Sequence, residues 1–167
     1  MVNTSRPTSG LKVDRADRRI LDLMQANGRI SNLELAEKIG LSPTPCSRRV
    51  KRLEESGLID RHVTLLDQAA LGLNITAMIS ITMDRHTPER FEHFEQEVAR
   101  FPEVVECSIV TGQAADYLLK AVLLDMTYYE EFLLGRLTRI DGVTGVHSSF
   151  VLRKVINRTE LPLEHIA

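Results

Sequence analysis

The spacing of apolar residues changes once along the chain, around Leu71-Gly72-Leu73, and that change constrains the fold more than any other feature. Before it, apolar residues recur at intervals of three and four, as on one face of a helix. After it, Ile75, Ala77, Ile79, Ile81 and Met83 alternate with Thr76, Ser80 and Thr82, the two-residue repeat of a half-buried strand. A chain of 167 residues that changes rhythm in this way reads as two small domains in series. The class is α+β, because the helical run comes first and the strands follow.

Residues 1–11 mix Ser, Thr, Pro and Gly without periodicity and read as a flexible tail. Three helices are expected over 12–62. Asp14 can cap the first, with Ala16, Ile20, Leu23 and Met24 on one face and Asn27-Gly28 as its stop. Ser31-Asn32-Leu33-Glu34 is a capping-box pattern opening the second, which runs through Leu35, Ala36 and Ile39 to Gly40. Ser42 followed by Pro43 opens the third, which should reach Ser56-Gly57. The branched stretch Leu58–Leu66 suits a wing or connecting strand. Residues 63–74 form the hinge, and 75–167 the second domain.

In that second domain the strand from Ile75 to Asp84 is followed by a helix opened by Thr87-Pro88, with Phe91, Phe94, Val98 and Phe101 on one face. A strand with Val105, Cys107 and Ile109 on one side comes next, and Gly112–Asp116 turns the chain into a strand over Tyr117–Leu124. Thr127 and Glu130 read as a capping box for a helix through Phe132, Leu133 and Leu137, and Val143–Val155 as the last strand. The order β-α-β-β-α-β is the ferredoxin-like arrangement, a four-stranded antiparallel sheet with two helices on one face. Its uncovered face is expected to be apolar, which implies a partner and hence oligomerisation.

The formal net charge of -2 argues at face value against a nucleic-acid partner. It is an average of unlike halves: residues 1–62 hold 12 Lys and Arg against 8 Asp and Glu, while 63–167 hold 9 against 15. Such asymmetry points to a binding segment joined to something else. The longest apolar run, Ile75–Met83, has strand length and is too short to span a bilayer. The polar N-terminus gives no indication of export, so a cytoplasmic, membrane-free protein is expected. Cys46 and Cys107 make neither a disulfide framework nor a zinc set. His62, His86, His93, His147 and His165 show no metal-ligand spacing, and nothing nominates a nucleophile or base. No cofactor, metal or enzymatic activity is expected.

The third helix carries the sharpest local signal. Cys46, Val50 and Leu53 form one stripe, while Thr44, Ser47, Arg48, Lys51 and Arg52 fall on the opposite side and Arg49 lies at the flank. Three helices with the basic one last, then an extended segment, match a winged helix-turn-helix, whose recognition helix enters the major groove of double-stranded DNA. Ser42, Thr44, Ser47 and Arg48 suit base edges, and Arg49, Lys51 and Arg52 suit phosphates. Backbone amides at the helix starts also suit phosphate oxygens. With Ser31 and Asn32 at the start of the second helix, these residues are the DNA-contacting set. The bland alternative is a solvated face paired with Glu54 and Glu55.

Asp17-Arg18-Arg19-Ile20-Leu21, Gly28-Arg29-Ile30-Ser31-Asn32 and Leu41-Ser42-Pro43-Thr44-Pro45-Cys46-Ser47-Arg48-Arg49-Val50 resemble the Lrp/AsnC (leucine-responsive, feast/famine) family. Gly112-Gln113-Ala114-Ala115-Asp116-Tyr117 resembles its Gly-x-x-x-Asp-Tyr motif, and Asp125-Met126, Gly142-Val143, Ser148-Ser149-Phe150 and Leu161-Pro162-Leu163 also match. The likeness runs from about residue 12 to 163. It implies a transcription regulator that forms dimers assembling to octamers or higher, with a small effector, usually an amino acid, held between C-terminal domains. By position the effector site takes Val110, Thr111, Gly112, Gln113, Asp116, Tyr117, Leu118, Met126 and Ser149. Turn amides at Gly112 and Gln113 suit a carboxylate, Asp116 an α-ammonium, and Leu118 with Met126 a side-chain slot.

Alternatives stand beside each of these. Asp116 is also well suited to capping its turn, Tyr117 and Met126 to core packing, and Cys46 to burial rather than redox sensing. The alternative function is a DNA-binding architectural regulator whose second domain only assembles and binds no ligand.

Overall fold

The computed structural model describes residues 12–112 and 114–166, so the tail expected over 1–11 lies outside the described residues. The chain divides into two units, one reaching Leu65 and resuming at Ile156, the other Leu66–Val155. Residues 156–166 group with the first unit, where Leu161 and Ile166 bond to its first helix.

The first unit contains α1 (Arg15–Ala26), α2 (Asn32–Ile39) and α3 (Pro43–Glu55). Asp14 closes a capping box on α1: its Oδ1 accepts from Asp17 N at 2.9 Å while Asp17 Oδ2 accepts from Asp14 N at 3.1 Å. Ser31 and Glu34 do the same for α2, which ends at Gly40 in the left-handed region, φ 71°. Ser42 and Pro43 open α3, and the Ser42 side chain makes no capping bond. Ile20, Leu35, Ala36, Ile39, Cys46 and Leu53 form the core. Each large member contributes about 1.5–3 kcal/mol of burial. The stretch Arg61–Leu66 joins no ladder, and Val63, Leu65 and Leu66 are exposed.

The second unit runs β1 (Ile75–Met83), α4 (Pro88–Val98), β2 (Val104–Ile109), β3 (Tyr117–Leu123), α5 (Met126–Gly135), a short 3-10 helix (Leu137–Arg139) and β4 (Val143–Phe150). The strands lie in the order β2-β3-β1-β4, all antiparallel, the arrangement expected of two interlocked β-α-β units. Ala77, Ile79, Ile81 and Met83 of β1 and Tyr117, Leu119, Ala121 and Leu123 of β3 pack with Phe94, Val98, Tyr129, Phe132 and Leu137 in one core. Both helices therefore cover the same face.

Four local expectations shift. The cap of α5 is Asp125, whose Oδ1 accepts from Tyr128 N at 2.8 Å, so Thr127 lies inside the first turn. The last strand stops at Phe150, five residues short of the expected Val155. A register break between Val104 and Glu106 turns Val105 out to solvent and leaves Val104 packed on the core. The uncovered face is also less apolar than expected, because Ser80, Thr82, Lys120 and His147 share it with Met78, Leu118 and Val122.

Among the described residues of this unit one charged group is buried. Glu103 accepts two bonds from Arg136, at 3.2 and 2.6 Å, and one from Tyr128 Oη at 2.6 Å. Burial pushes its pKa up, but the Arg136 and then the Tyr128 bonds outweigh it and hold the carboxyl below its ordinary value.

Candidate functional site

In the first unit the solvent side of α3 carries Thr44, Ser47, Arg48, Lys51 and Arg52, all exposed. The apolar stripe behind them explains the geometry: Cys46 and Leu53 are fully buried and Val50 partly so, which leaves the intervening positions outward. Among the described residues no ion pair or hydrogen bond engages the Arg48 side chain. Lys51 lies 3.7 Å from Glu55, with both side chains largely exposed, a weak and salt-sensitive pairing. Ser42 and Thr44 stand exposed at the helix start.

Two of the expected phosphate contacts are tied down. Asp17, fully buried in α1, accepts from Arg49 Nη1 at 2.8 Å and from Arg52 Nη2. Arg49 also donates to Asp14 at 2.7 Å. The Asp17 backbone amide and then the Arg49 bond hold Asp14 down at about 2. Sequence reasoning missed Asp17; the signal was an Asp14-x-x-Asp17 capping box within helical reach of a basic helix. Ser31 is occupied with Glu34. Asn32 donates to Pro43 O at 2.9 Å, so it joins the start of α2 to the start of α3.

In the second unit the loop between β2 and β3 turns at Gly112, φ 81°, a conformation that L side chains rarely adopt. Val110 N donates to Asp116 O at 3.0 Å and Asp116 N to Ile81 O at 2.8 Å, which pins both ends of the loop. Asp116 Oδ2 accepts from Met83 N at 2.7 Å, and its Oδ1 lies 2.7 Å from His86 Nε2. The carboxylate thus extends the β1–β3 ladder one step beyond its last pair, Ile81 with Tyr117, by taking the Met83 amide. His86 carries no sequence signal that would have singled it out. Thr111 and Gly112 are exposed, and Gln113 lies outside the described residues.

The remaining candidates do not converge within one copy of the chain. Tyr117 is buried against Phe91 and Phe94, with its hydroxyl donating to Glu95 at 2.9 Å. Burial, then the Glu95 bond, pushes its pKa up. Its neighbour Leu118 points to the uncovered face, as does Ser149 opposite Met78. Met126 is exposed at the start of α5. It follows the far end of β3, roughly 20 Å from Gly112 at the strand's usual rise.

The two thiols are held protonated. Desolvation raises Cys46 above its ordinary value despite the opposing charge of Arg49. Cys107 sits on edge strand β2, with much of the residue exposed, but its thiol lies on the helix side opposite Leu119. Desolvation there, then Glu95, pushes it up to about 11. Among the described residues no group of three or more His, Cys, Asp or Glu could hold a metal ion. No helix among them is long and apolar enough to cross a membrane.

Comparison with known proteins assigns both units. Residues 13–60 match the family model for a winged helix-turn-helix DNA-binding domain, and residues 76–161 match that for an Lrp/AsnC ligand binding domain. The leucine-responsive regulatory protein of Klebsiella pneumoniae is 39% identical over 160 residues, covering 96% of this chain and 97% of that protein. The leucine-responsive regulatory protein of Escherichia coli strain K12 matches to the same extent, 39% over 160 residues. Among solved structures, a transcriptional regulator from Neisseria meningitidis in complex with L-Met superposes with a TM-score of 0.89 at 39% identity, covering 92% of this chain and 99% of that one. An AsnC family regulator from Agrobacterium tumefaciens gives 0.86 at 38% identity, with the same coverage.

Proposed function

The chain belongs to the Lrp/AsnC family of DNA-binding transcription regulators, and on that premise we propose that α3 reads an operator while the Gly112–Asp116 loop takes an amino-acid effector. It is a regulator rather than an enzyme, as its relatives are. The observation that carries the DNA reading is the contrast along α3. Arg49 and Arg52 are engaged by Asp17, whereas Arg48, Ser47 and Thr44 stand outward without side-chain partners among the described residues. Arg48 is the base-reading residue, with Ser42, Thr44 and Ser47 beside it, because an unpaired guanidinium can give both donors to one guanine. Lys51 and Arg52, with the backbone amides at the starts of α2 and α3, meet phosphates. Arg49 acts as a strut behind them, and Asn32 fixes the angle between α2 and α3.

The effector reading rests on the loop. Gly112 can present its amide to a carboxylate, with Val110, Thr111 and Gln113 beside it. Asp116 Oδ1 is the partner for an α-ammonium, which competes there with the His86 imidazole. Tyr117 supports this loop from inside the core. Leu118 and Ser149 line the uncovered face, and Met126 enters from another copy of the chain. A relative was solved with L-Met, which supports an amino acid as the ligand class. Exposed Leu65, Leu66, Leu152, Val155 and Ile156 support assembly of copies, read as a homodimer building to an octamer or higher, and the DNA partner favours the cytoplasm. One observation favours a ligand-independent alternative: Asp116 already has internal partners.

A thermal-shift screen of the twenty amino acids, paired with anisotropy titration on DNA selected from a random library, tests both halves. A shift by at least one amino acid that also changes DNA affinity is expected. No shift by any of them leaves the ligand-independent regulator, and no DNA selected above background overturns the reading of α3.

A further inference from the structure

The C-terminal segment, after leaving β4, returns to the first unit and lies against α1. Gln25 holds it through both atoms of its side-chain amide: Nε2 donates to Leu161 O at 3.0 Å, and Leu161 N donates to Oε1 at 2.9 Å. This is the pairing one strand residue offers another, made here by a side chain. Arg18 Nη1 donates to Ile166 O at 3.3 Å, and Ile166 N bonds back to Leu163 O at 3.0 Å, closing a turn against the helix. Underneath, Leu21, Met24, Leu58 and Ile59 with Leu163 and Ile166 line a cavity of about 530 Å³. The segment is therefore held by specific polar bonds beside a solvent-open, mainly apolar groove, a combination that fixes position yet buries little surface to lose on release.

We propose that this face of α1 is a docking surface for the chain's own C-terminal segment, with Gln25 as its clasp, and that docking and release of the segment transmit the state of the second unit to the DNA-reading unit. The covalent path supports this. The segment continues directly from β4, which carries Ser149, and ends on the helix whose Asp17 fixes Arg49 and Arg52. A change in β4 that pulls on residues 151–160 reaches α1 along the chain itself. The transmission half rests on the effector reading above; the docking half does not.

Hydrogen exchange and effector response test the two halves separately. In the parent the Leu161 amide should be protected. Gln25→Leu should speed its exchange by roughly ten- to thirty-fold, the usual worth of one to two hydrogen bonds. Gln25→Glu, which keeps an acceptor for Leu161 N, should retain most of the protection. An unprotected Leu161 in the parent, or protection that Gln25→Leu leaves unchanged, overturns the docking. Protection that rises with protein concentration assigns the groove to a second copy and overturns the intrachain clasp. For transmission, each of the twenty amino acids is screened by thermal shift against the parent, Gln25→Leu and a chain ending at Asn157. An amino acid that shifts all three should alter DNA affinity only in the parent. An equal change of DNA affinity in all three overturns the transmission. No thermal shift in the parent is a failure of the effector reading, and the exchange data still decide the docking.

Discussion

Arg49 donates a 2.8 Å hydrogen bond to Asp17, a carboxylate with no exposed surface, and so fastens α3 to α1. Removing the carboxylate leaves two neighbouring guanidinium groups of α3 without their shared acceptor, Arg49 keeping only Asp14. Asp17→Ala should destabilise the first unit by about 1–3 kcal/mol, below the range for a fully buried pair because both arginines keep partial solvent access. Asp17→Asn should recover part of that loss. Chemical denaturation of the first unit's transition checks this, and an unchanged midpoint in Asp17→Ala would mean that the pairing contributes nothing.

The basic residues of α3 should separate into three behaviours. Arg48→Ala should cost about 1–3 kcal/mol on the preferred operator and flatten the preference at one base pair. Lys51→Ala should weaken all sequences alike and reduce the salt slope by about one. Arg49→Ala should act chiefly on stability, with the slope of affinity against salt close to that of the parent. Anisotropy titrations on matched and mismatched duplexes over several salt concentrations distinguish these outcomes.

Asp116 has a structural duty as well as a proposed binding one. Asp116→Ala leaves the Met83 amide without its acceptor, at a cost of about 1–3 kcal/mol. Asp116→Asn keeps an oxygen for that amide and removes the charge proposed to hold an ammonium. The Asn variant should melt close to the parent yet fail to respond to amino acids. A full response in Asp116→Asn would exclude the carboxylate from ligand binding.

Acid should loosen the first unit through Asp14. Its carboxyl is held down at about 2 by the Asp17 amide and Arg49. A carboxyl depressed in the folded state contributes stability that is present above its unfolded value and is lost as pH falls toward the folded one. The loss therefore falls between about pH 4 and pH 2. Asp14→Asn, which preserves a good cap, should lose less stability across that window. Melting curves recorded through it provide the comparison.

Alkylation should find neither cysteine reactive at neutral pH. With Cys107 pushed up to about 11, its rate with iodoacetamide should still be climbing at pH 10, where an ordinary thiol has levelled off. Cys46, buried in the core, should react only as the unit opens. Rapid labelling of Cys46 at pH 7 would contradict its packing role.

Much of this architecture was legible because it is local. The Ser31-x-x-Glu34 and Ser42-Pro43 starts, the α3 stripe and the β1 alternation depend on neighbours a few residues away, and the structure shows each of them. What stayed hidden depends on partners distant in the chain. Asp17 reads as an ordinary first-turn acid until α3 lies across it, and Gln25 reads as a surface residue until Leu161 arrives. The Val105 bulge was invisible because alternation by itself does not show where a ladder slips. The candidate effector residues came from a motif resemblance, and the sheet register shows that Tyr117 is the one turned to the helices and Leu118 the one turned to the uncovered face.

Gly112 and Met126 stand at opposite ends of β3, and that separation sets the arithmetic of sensing. If one pocket draws its loop from one copy and its methionine from another, a lone chain is deaf to the ligand. Occupancy then follows the abundance of the protein as well as that of the amino acid, by mass action. Dose-response curves taken at different protein concentrations would slide along the ligand axis. A cell could retune the threshold of such a sensor simply by making more or less of it.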